Sequence, residues 1–144
     1  SSLLLLDIDY FKRINVEMGH VEGDRVLKAM VALIDSRIRG ADMLFRLGGE
    51  EFVVLLSEVG AQTARKIADE LRSKIASQEV IPDRRVTVSI GICDVTAVDS
   101  AEDWLLRVDR AMYEAKRKGR DQVYIEEPSP RDPTNVEGTI PMWR

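Results

Sequence analysis

The segment Arg46–Leu56, RLGGEEFVVLL, places two glycines and two adjacent glutamates at the start of an apolar run. Strand-like residues on both sides of Gly48 and Gly49 are typical of a β-hairpin. Neither a turn nor a buried strand requires Glu50 beside Glu51, where the two negative charges repel each other. The segment therefore predicts a hairpin whose carboxylates have a positively charged partner.

Hydrophobic periodicity predicts the other elements. Short apolar or alternating runs are typical of strands, and apolar residues every three or four positions are typical of helices. Predicted strands cover Leu3–Leu6, Met43–Leu47, Phe52–Leu56, Val86–Ile92 and Gln122–Ile125, and predicted helices cover Phe11–Met18, Gly23–Ile38, Ala61–Ala76 and Ala101–Lys118. The order β-α-α-β-β-α-β-α-β predicts an α+β fold with helices wrapped around a central mixed, largely antiparallel sheet.

The length and the distribution of proline predict one domain followed by a tail. A chain of 144 residues with 44% hydrophobic and 32% charged residues is typical of one globular domain. Residues 128–144 contain four of the five prolines and show no periodicity. We therefore expect a domain at residues 1–127 and a C-terminal tail at residues 128–144.

Composition also excludes several classes of protein. The net charge of −4 argues against a nucleic-acid-binding protein, and the single histidine excludes a multi-histidine zinc site. Cys93, the single cysteine, lies in a strand-like run and is expected to be a buried hydrophobic residue. No apolar run is long enough to span a membrane. These features indicate a cytoplasmic protein, or the cytoplasmic part of a larger membrane-anchored one.

Acidic residues gather where two predicted strands begin or end. Asp7 and Asp9 follow the first strand, and Glu50 and Glu51 follow the hairpin turn. If the first strand lies beside the hairpin, Asp7 meets a glutamate across the sheet. Carboxylate oxygens suit Mg²⁺ (or Mn²⁺), and Mg²⁺ usually shares its ligand shell with substrate phosphates. The alternative, that each acid is a solvated turn residue, is weaker for the combination than for any single acid.

Positive charge is concentrated near the end of the last predicted helix, in AKRKGR at residues 115–120. Such residues favour a helix C-terminus, and they also bind phosphates. Both interpretations remain open for the segment alone, and a neighbouring metal site favours phosphoryl chemistry. Phe11 and Lys12 begin a helix directly after the acids, and helix-start amides also bind phosphate.

Four motifs together resemble the GGDEF domain of diguanylate cyclases, here in its GGEEF form. They are DIDYFKRIN at residues 7–15, GH-x-x-GD at 19–24, GGEEF at 48–52 and AKRKGR at 115–120. The resemblance covers Leu3 to Ile125. It implies a fold similar to the palm of nucleotide cyclases and polymerases.

The resemblance also implies a role for each motif residue. Asp7, Glu51 and the carbonyl of Ile8 match metal ligands, and Glu50 matches a residue that assists deprotonation of the 3′-hydroxyl or shares the metal. The residues implied to bind substrate are Phe11, Lys12, Asn15, Asp24, Gly48, Gly49, Lys116 and Arg120.

Asn15 and Asp24 match the pair that recognises guanine in the family. A carboxamide and a carboxylate complement the acceptor O6 and the N–H donors of that base. The alternative is that the two residues cap turns or helices, which Asp24 would do well near a helix start.

The implied activity condenses two GTP molecules into cyclic di-GMP and two pyrophosphates at the interface of a transient homodimer. The implied cofactor is Mg²⁺ (or Mn²⁺), and an upstream sensor or receiver domain is expected in the full-length protein. Arg39 and Asp42 match an inhibitory site for the product, cyclic di-GMP. The alternative for these two is an ion pair within a loop, worth at most about 1 kcal/mol.

The sequence departs from the family pattern at several points. The usual opening segment is absent, so we expect that part of the family domain to be missing and the chain to fold poorly alone. Val16 and Asp121 stand where the family often has Asp and Asn. Glu70 lies near the place of a second inhibitory-site arginine, with Arg65 and Arg72 as alternatives. A degenerate receptor of cyclic di-GMP or GTP, or another magnesium-dependent nucleotidyl transferase, are the competing hypotheses.

Overall fold

The computed structural model describes residues 1–96 and 99–126. The strands are β1 (Ser2–Ile8), β2 (Met43–Arg46), β3 (Glu51–Leu56), β4 (Val88–Asp94) and β5 (Val123–Ile125). The helices are α1 (Phe11–Met18), α2 (His20–Arg37), α3 (Ala61–Ser77) and α4 (Ala101–Arg117). The predicted order of elements is confirmed. The predicted tail at residues 128–144 lies outside the described residues.

The five strands form one sheet in the order β2-β3-β1-β4-β5. β1 is central and pairs antiparallel with both β3 and β4, whereas β4 and β5 are parallel. The prediction of a mixed, largely antiparallel sheet is confirmed.

Each face of the sheet carries its own apolar core. Leu4 and Leu6 of β1 point into a large core that includes residues from α1, α2 and α3. Leu3 and Leu5 point the other way and pack with residues of β3, β4 and α4. This alternation explains why β1 reads as a continuous leucine run, because it is buried on both faces.

Gly19 separates two helices that the sequence predicts with a longer gap between them. Its φ of +90° is readily adopted by glycine and ends α1 abruptly. α2 then begins at His20, one turn before the predicted start at Gly23. The two helices are therefore adjacent and pack against each other.

The edge strand β2 is the most exposed apolar part of the sheet. Met43, Phe45 and Leu47 are 48%, 47% and 42% exposed. Among the described residues, α4 covers the sheet face that carries Leu3 and Leu5, but only nearer the centre of the sheet.

Within residues 1–96 and 99–126, no helix combines the length and apolar character needed to cross a membrane.

Candidate active site

The register between β1 and β3 places Asp7 directly opposite Glu51. Both residues are almost buried, with 4% and 8% exposure. The backbone N–H of Ile8 donates to the carbonyl of Glu50 at 3.3 Å, which continues the pairing into the hairpin turn. The prediction that Asp7 meets a glutamate across the sheet is therefore confirmed.

Lys116 supplies positive charge to the Asp7 carboxylate. It lies in the last turn of α4, and its Nζ is 2.5 Å from Oδ2 of Asp7. The lysine side chain is 20% exposed and the aspartate side chain 5%. A charge-assisted bond of this kind is strong where water is largely excluded.

Gly91 of β4 sets how closely α4 approaches the sheet. A Cβ at this position would lie 2.4 Å from the backbone nitrogen of Met112 and 2.7 Å from the carbonyl oxygen of Val108. The absence of a side chain therefore allows the close packing that brings Lys116 to Asp7.

A cavity of about 160 Å³ opens beside these residues. It is lined by Asp7, Ile8, Asp9, Tyr10, Phe11, Lys12, Glu50, Lys116 and Arg120. Seven of these nine were assigned predicted roles; Asp9 was considered only as one of the clustered acids, and Tyr10 was not considered. The structure therefore brings three of the four motifs to one cavity.

Asp9 joins three separate parts of the chain. Its carboxylate accepts hydrogen bonds from the hydroxyls of Thr87 at 2.7 Å and Ser89 at 2.6 Å. It also accepts from the backbone N–H of Asp121 at 3.0 Å. Thr87 and Ser89 alternate with apolar residues in the predicted strand Val86–Ile92, so their hydroxyls share one face. That pattern could have indicated a polar partner for them.

The donor set fits a hard divalent cation. Two carboxylates and the Ile8 carbonyl are oxygen donors of the type that Mg²⁺ or Mn²⁺ prefers. Within residues 1–96 and 99–126, no group of three or more His, Cys, Asp or Glu side chains is arranged to hold a metal. A cation bound by two carboxylates and one carbonyl would need further ligands to complete its shell.

Asn15 and Asp24 lie on the paired helices α1 and α2. A Cβ on Gly23 would be 1.9 Å from Oδ1 of Asn15, so the carboxamide occupies the space left by the glycine that precedes Asp24 in the sequence. The N-cap of α2 is Gly19, and no side chain caps this helix. The structure thus removes the alternative in which Asp24 caps α2.

The glycine turn is open on its outer side. A Cβ on Gly48 or Gly49 would meet nothing within 4 Å. The Arg46 guanidinium donates to the carbonyls of both glycines, at 3.1 and 2.8 Å. Arg46 was not predicted as part of the site, and it stabilises the turn that carries Glu50.

The Asp42 side chain stabilises the loop between α2 and β2. Its carboxylate accepts backbone N–H groups from Arg39 at 2.8 Å and Ser57 at 2.9 Å. The Asp42 side chain is 2% exposed, whereas that of Arg39 is 66% exposed. Arg39 is therefore accessible to a ligand, and Asp42 holds the loop that presents it.

Two residues near the place expected for a second inhibitory-site arginine, Glu70 and Arg72, contact other groups. Glu70 forms an ion pair with Arg37, and Arg72 binds Asp69 and Asp121. The involvement of Arg39 and Asp42 in product binding stays a prediction.

Comparison with known proteins places this geometry in a defined family. The family model "Diguanylate cyclase, GGDEF domain" matches residues 1–122. Diguanylate cyclase A of Treponema denticola is 38% identical over 128 residues, covering 86% of this chain and 34% of that protein. Diguanylate cyclase DgcM of Escherichia coli K12 is 43% identical over 122 residues, covering 85% and 30%. The chain thus spans about a third of the length of these curated relatives.

Solved structures agree with the sequence comparison. The active GGEEF domain of a diguanylate cyclase from Vibrio cholerae matches with a TM-score of 0.83 and 33% identity, covering 89% of this chain and 83% of that one. The GGDEF domain of DgcB from Caulobacter crescentus, in complex with c-di-GMP, also gives 0.83, with 29% identity and coverage of 87% and 77%.

Proposed function

The chain belongs to the GGDEF family of diguanylate cyclase domains, and from this premise we propose that it condenses two GTP molecules into cyclic di-GMP and two pyrophosphates. The observation that carries the proposal is the pairing of Asp7 with Glu51 at the end of the central strands, beside Lys116. Metal-assisted phosphoryl transfer needs this combination of oxygen ligands and positive charge.

Each predicted residue has a role in this proposal. Asp7, Glu51 and the carbonyl of Ile8 hold Mg²⁺ (or Mn²⁺), which neutralises phosphate charge when bound. Glu50, half-buried at the cavity, assists loss of the proton from the attacking 3′-hydroxyl or shares the metal.

The phosphates are bound by groups from both ends of the chain. Lys116 and Arg120 line the cavity together with Phe11 and Lys12 at the start of α1. Backbone N–H groups in the first turn of a helix are free to bind anions. Gly48 and Gly49 leave the turn uncovered, so that the nucleotide can approach the backbone.

Guanine is recognised by Asn15 and Asp24. Asn15 lies one turn beyond the cavity-lining residues of α1, and Asp24 follows it on the adjacent helix. A site that hydrogen-bonds a base in this way rejects bases that leave its polar groups unpaired.

Catalysis requires two copies of the domain, because each 3′-hydroxyl attacks the α-phosphate of the other GTP. The active species is therefore a transient homodimer with one GTP on each protomer. A sensor or receiver domain upstream in the full-length protein would raise the effective concentration of the second copy. We propose a cytoplasmic location for the enzyme and no nucleic acid as a partner.

The proposal is tested by incubating the protein with GTP and Mg²⁺ and measuring cyclic di-GMP and pyrophosphate by chromatography. We expect a rate that rises with the square of protein concentration when the protein is dilute. Glu51→Gln should abolish turnover, whereas the matched control Glu79→Gln, at an exposed position, should not. Nucleotide binding without any product at high protein concentration would instead indicate a receptor.

Product inhibition by cyclic di-GMP is the second part of the proposal, and it depends on the exposed Arg39. Arg39→Ala should leave the initial rate unchanged and relieve the inhibition. Wild-type protein that is insensitive to added cyclic di-GMP would contradict this site.

A further inference from the structure

We propose that Tyr10 is a positioning residue that holds the Arg120 guanidinium at the mouth of the cavity, ready for a nucleoside triphosphate. This inference rests on the proposed function, since it assigns Arg120 to the phosphates. The geometry that carries it is the position of the Arg120 guanidinium over the Tyr10 ring, together with the anchoring of the loop that follows α4.

Tyr10 lies at the junction between β1 and α1, where the chain turns sharply. Its φ and ψ of 56° and 31° are in the left-handed region, and its ring is half exposed beside the cavity. The guanidinium carbon of Arg120 lies 4.7 Å from the ring centroid, and that of Arg13 lies 5.0 Å away. One ring therefore contacts two cations that would otherwise repel each other.

The backbone that carries Arg120 is fixed by several independent contacts. Arg120 and Asp121 both have positive φ, 61° and 46°, which is unfavourable for two consecutive residues other than glycine. The Asp121 N–H donates to Asp9, and the Asp121 carboxylate binds Arg72 at 3.0 Å and Arg85 at 3.3 Å. Asp9 and Tyr10 are consecutive, so one dipeptide contacts both the backbone of this loop and its functional side chain.

The fixed backbone leaves the long Arg120 side chain to be oriented separately. In the described part of the chain, the Tyr10 ring is the group that the structure places against its guanidinium. A cation–π contact attracts the charge of the guanidinium and does not require its N–H groups as hydrogen-bond donors, so these groups can donate to phosphate oxygens. Loss of the ring would leave the charge in place but let the side chain sample many rotamers.

The test is a double-mutant cycle between Tyr10 and Arg120. Calorimetry would measure the affinity of guanosine 5′-(α,β-methylene)triphosphate, which cannot react at the α-phosphate, in the presence of Mg²⁺. We expect Tyr10→Leu to weaken binding about two- to five-fold, the range for an exposed cation–π contact. Tyr10→Phe should restore most of the affinity, because it keeps the ring. The matched control Tyr113→Leu, at an exposed tyrosine on α4, should change nothing.

Two readouts separate positioning from a merely structural effect. Tyr10→Leu should lose most of its effect in an Arg120→Ala background, and it should leave the affinity for GMP, which lacks the β- and γ-phosphates, unchanged. Additive effects of the two substitutions, or equal weakening of GMP, would overturn the inference. If Arg120→Ala itself leaves triphosphate affinity unchanged, the proposed contact of Arg120 with phosphate fails instead.

Discussion

Substitution of Gly23 by alanine would test guanine recognition by displacing the Asn15 carboxamide while leaving its chemical groups unchanged. The Cβ of alanine would lie 1.9 Å from Oδ1 and 3.0 Å from Cγ of Asn15, and 3.5 Å from Cζ of Phe11. The Phe11 contact is ordinary, so the clash falls on the end of the asparagine side chain. The carboxamide must therefore move by more than about 1 Å to reach normal van der Waals separation.

The magnitude follows from what that movement breaks. A displaced carboxamide loses one or two hydrogen bonds to the base, each worth about 0.5–1.5 kcal/mol. We expect a loss of about 1–2 kcal/mol, or roughly 5- to 30-fold in affinity. Stability should change by less than about 1 kcal/mol, since alanine is the better residue within α2 and this gain offsets the crowding.

Calorimetric titration of Gly23→Ala with the α,β-methylene analogues of GTP and ATP would measure both affinity and discrimination between the bases. The matched control is Gly60→Ala, where a Cβ meets nothing within 4 Å. Unchanged discrimination would show that Asn15 does not read the base. A drop in melting temperature as large as that of a core substitution would show that the helices, and not the side chain, absorb the clash.

The remaining predictions concern the packing and the ionisation of buried groups. Gly91→Ala should lower the free energy of unfolding, measured by urea denaturation, by about 2–3 kcal/mol, because its Cβ would lie 2.4 Å from the backbone nitrogen of Met112 in α4. Activity should also fall, because Lys116 moves with the helix. A stability and an activity close to those of the wild type would contradict the packing argument. Burial raises the pKa of Glu126, so the folded state holds its proton to higher pH than the unfolded state, and stability is lost as pH rises above 4.5. Glu126→Gln should therefore be more stable than the wild type at pH 7 and equally stable at pH 3. Equal stability of the two proteins at both pH values would refute the assignment. Burial also raises the pKa of Cys93 to about 12, so iodoacetamide at pH 8 should alkylate it only after unfolding in urea, and rapid reaction of the native protein would contradict the burial.

The elements that form the proposed metal site were predictable from local pattern. Charged residues interrupt apolar runs at Asp7 and at Glu50 and Glu51, and charges accumulate where strands leave the core. Placing the first strand beside the hairpin then brings Asp7 opposite a glutamate, as the register confirms. These predictions needed only period-two patterning and one neighbouring pair of strands.

The contacts that hold the site together were not predictable in the same way. Asp9 binds the backbone of Asp121 across 112 positions of sequence, and a backbone donor leaves no residue type for a pattern to show. The contact of Tyr10 with Arg120 depends on a loop in which non-glycine residues have positive φ. This conformation is uncommon for such residues, so the sequence does not predict it. Such features depend on tertiary structure, where many weak local preferences are overridden together.

The alignment of Asp7 with Glu51 depends on polar residues at both ends of the leucine run. Residues 3–6 are all leucine and are buried on both faces, so a shift by one position would bury the same side chains and the apolar pattern alone would not resist it. Ser2, whose buried hydroxyl donates to the carbonyl of Val59 at 2.7 Å, would lose its acceptor in such a shift. Asp9 would lose the hydroxyls of Thr87 and Ser89 as partners, and an unpaired buried carboxylate is far more costly than a shifted leucine. The same acidic end of β1 that carries the site therefore also fixes the register on which its geometry depends.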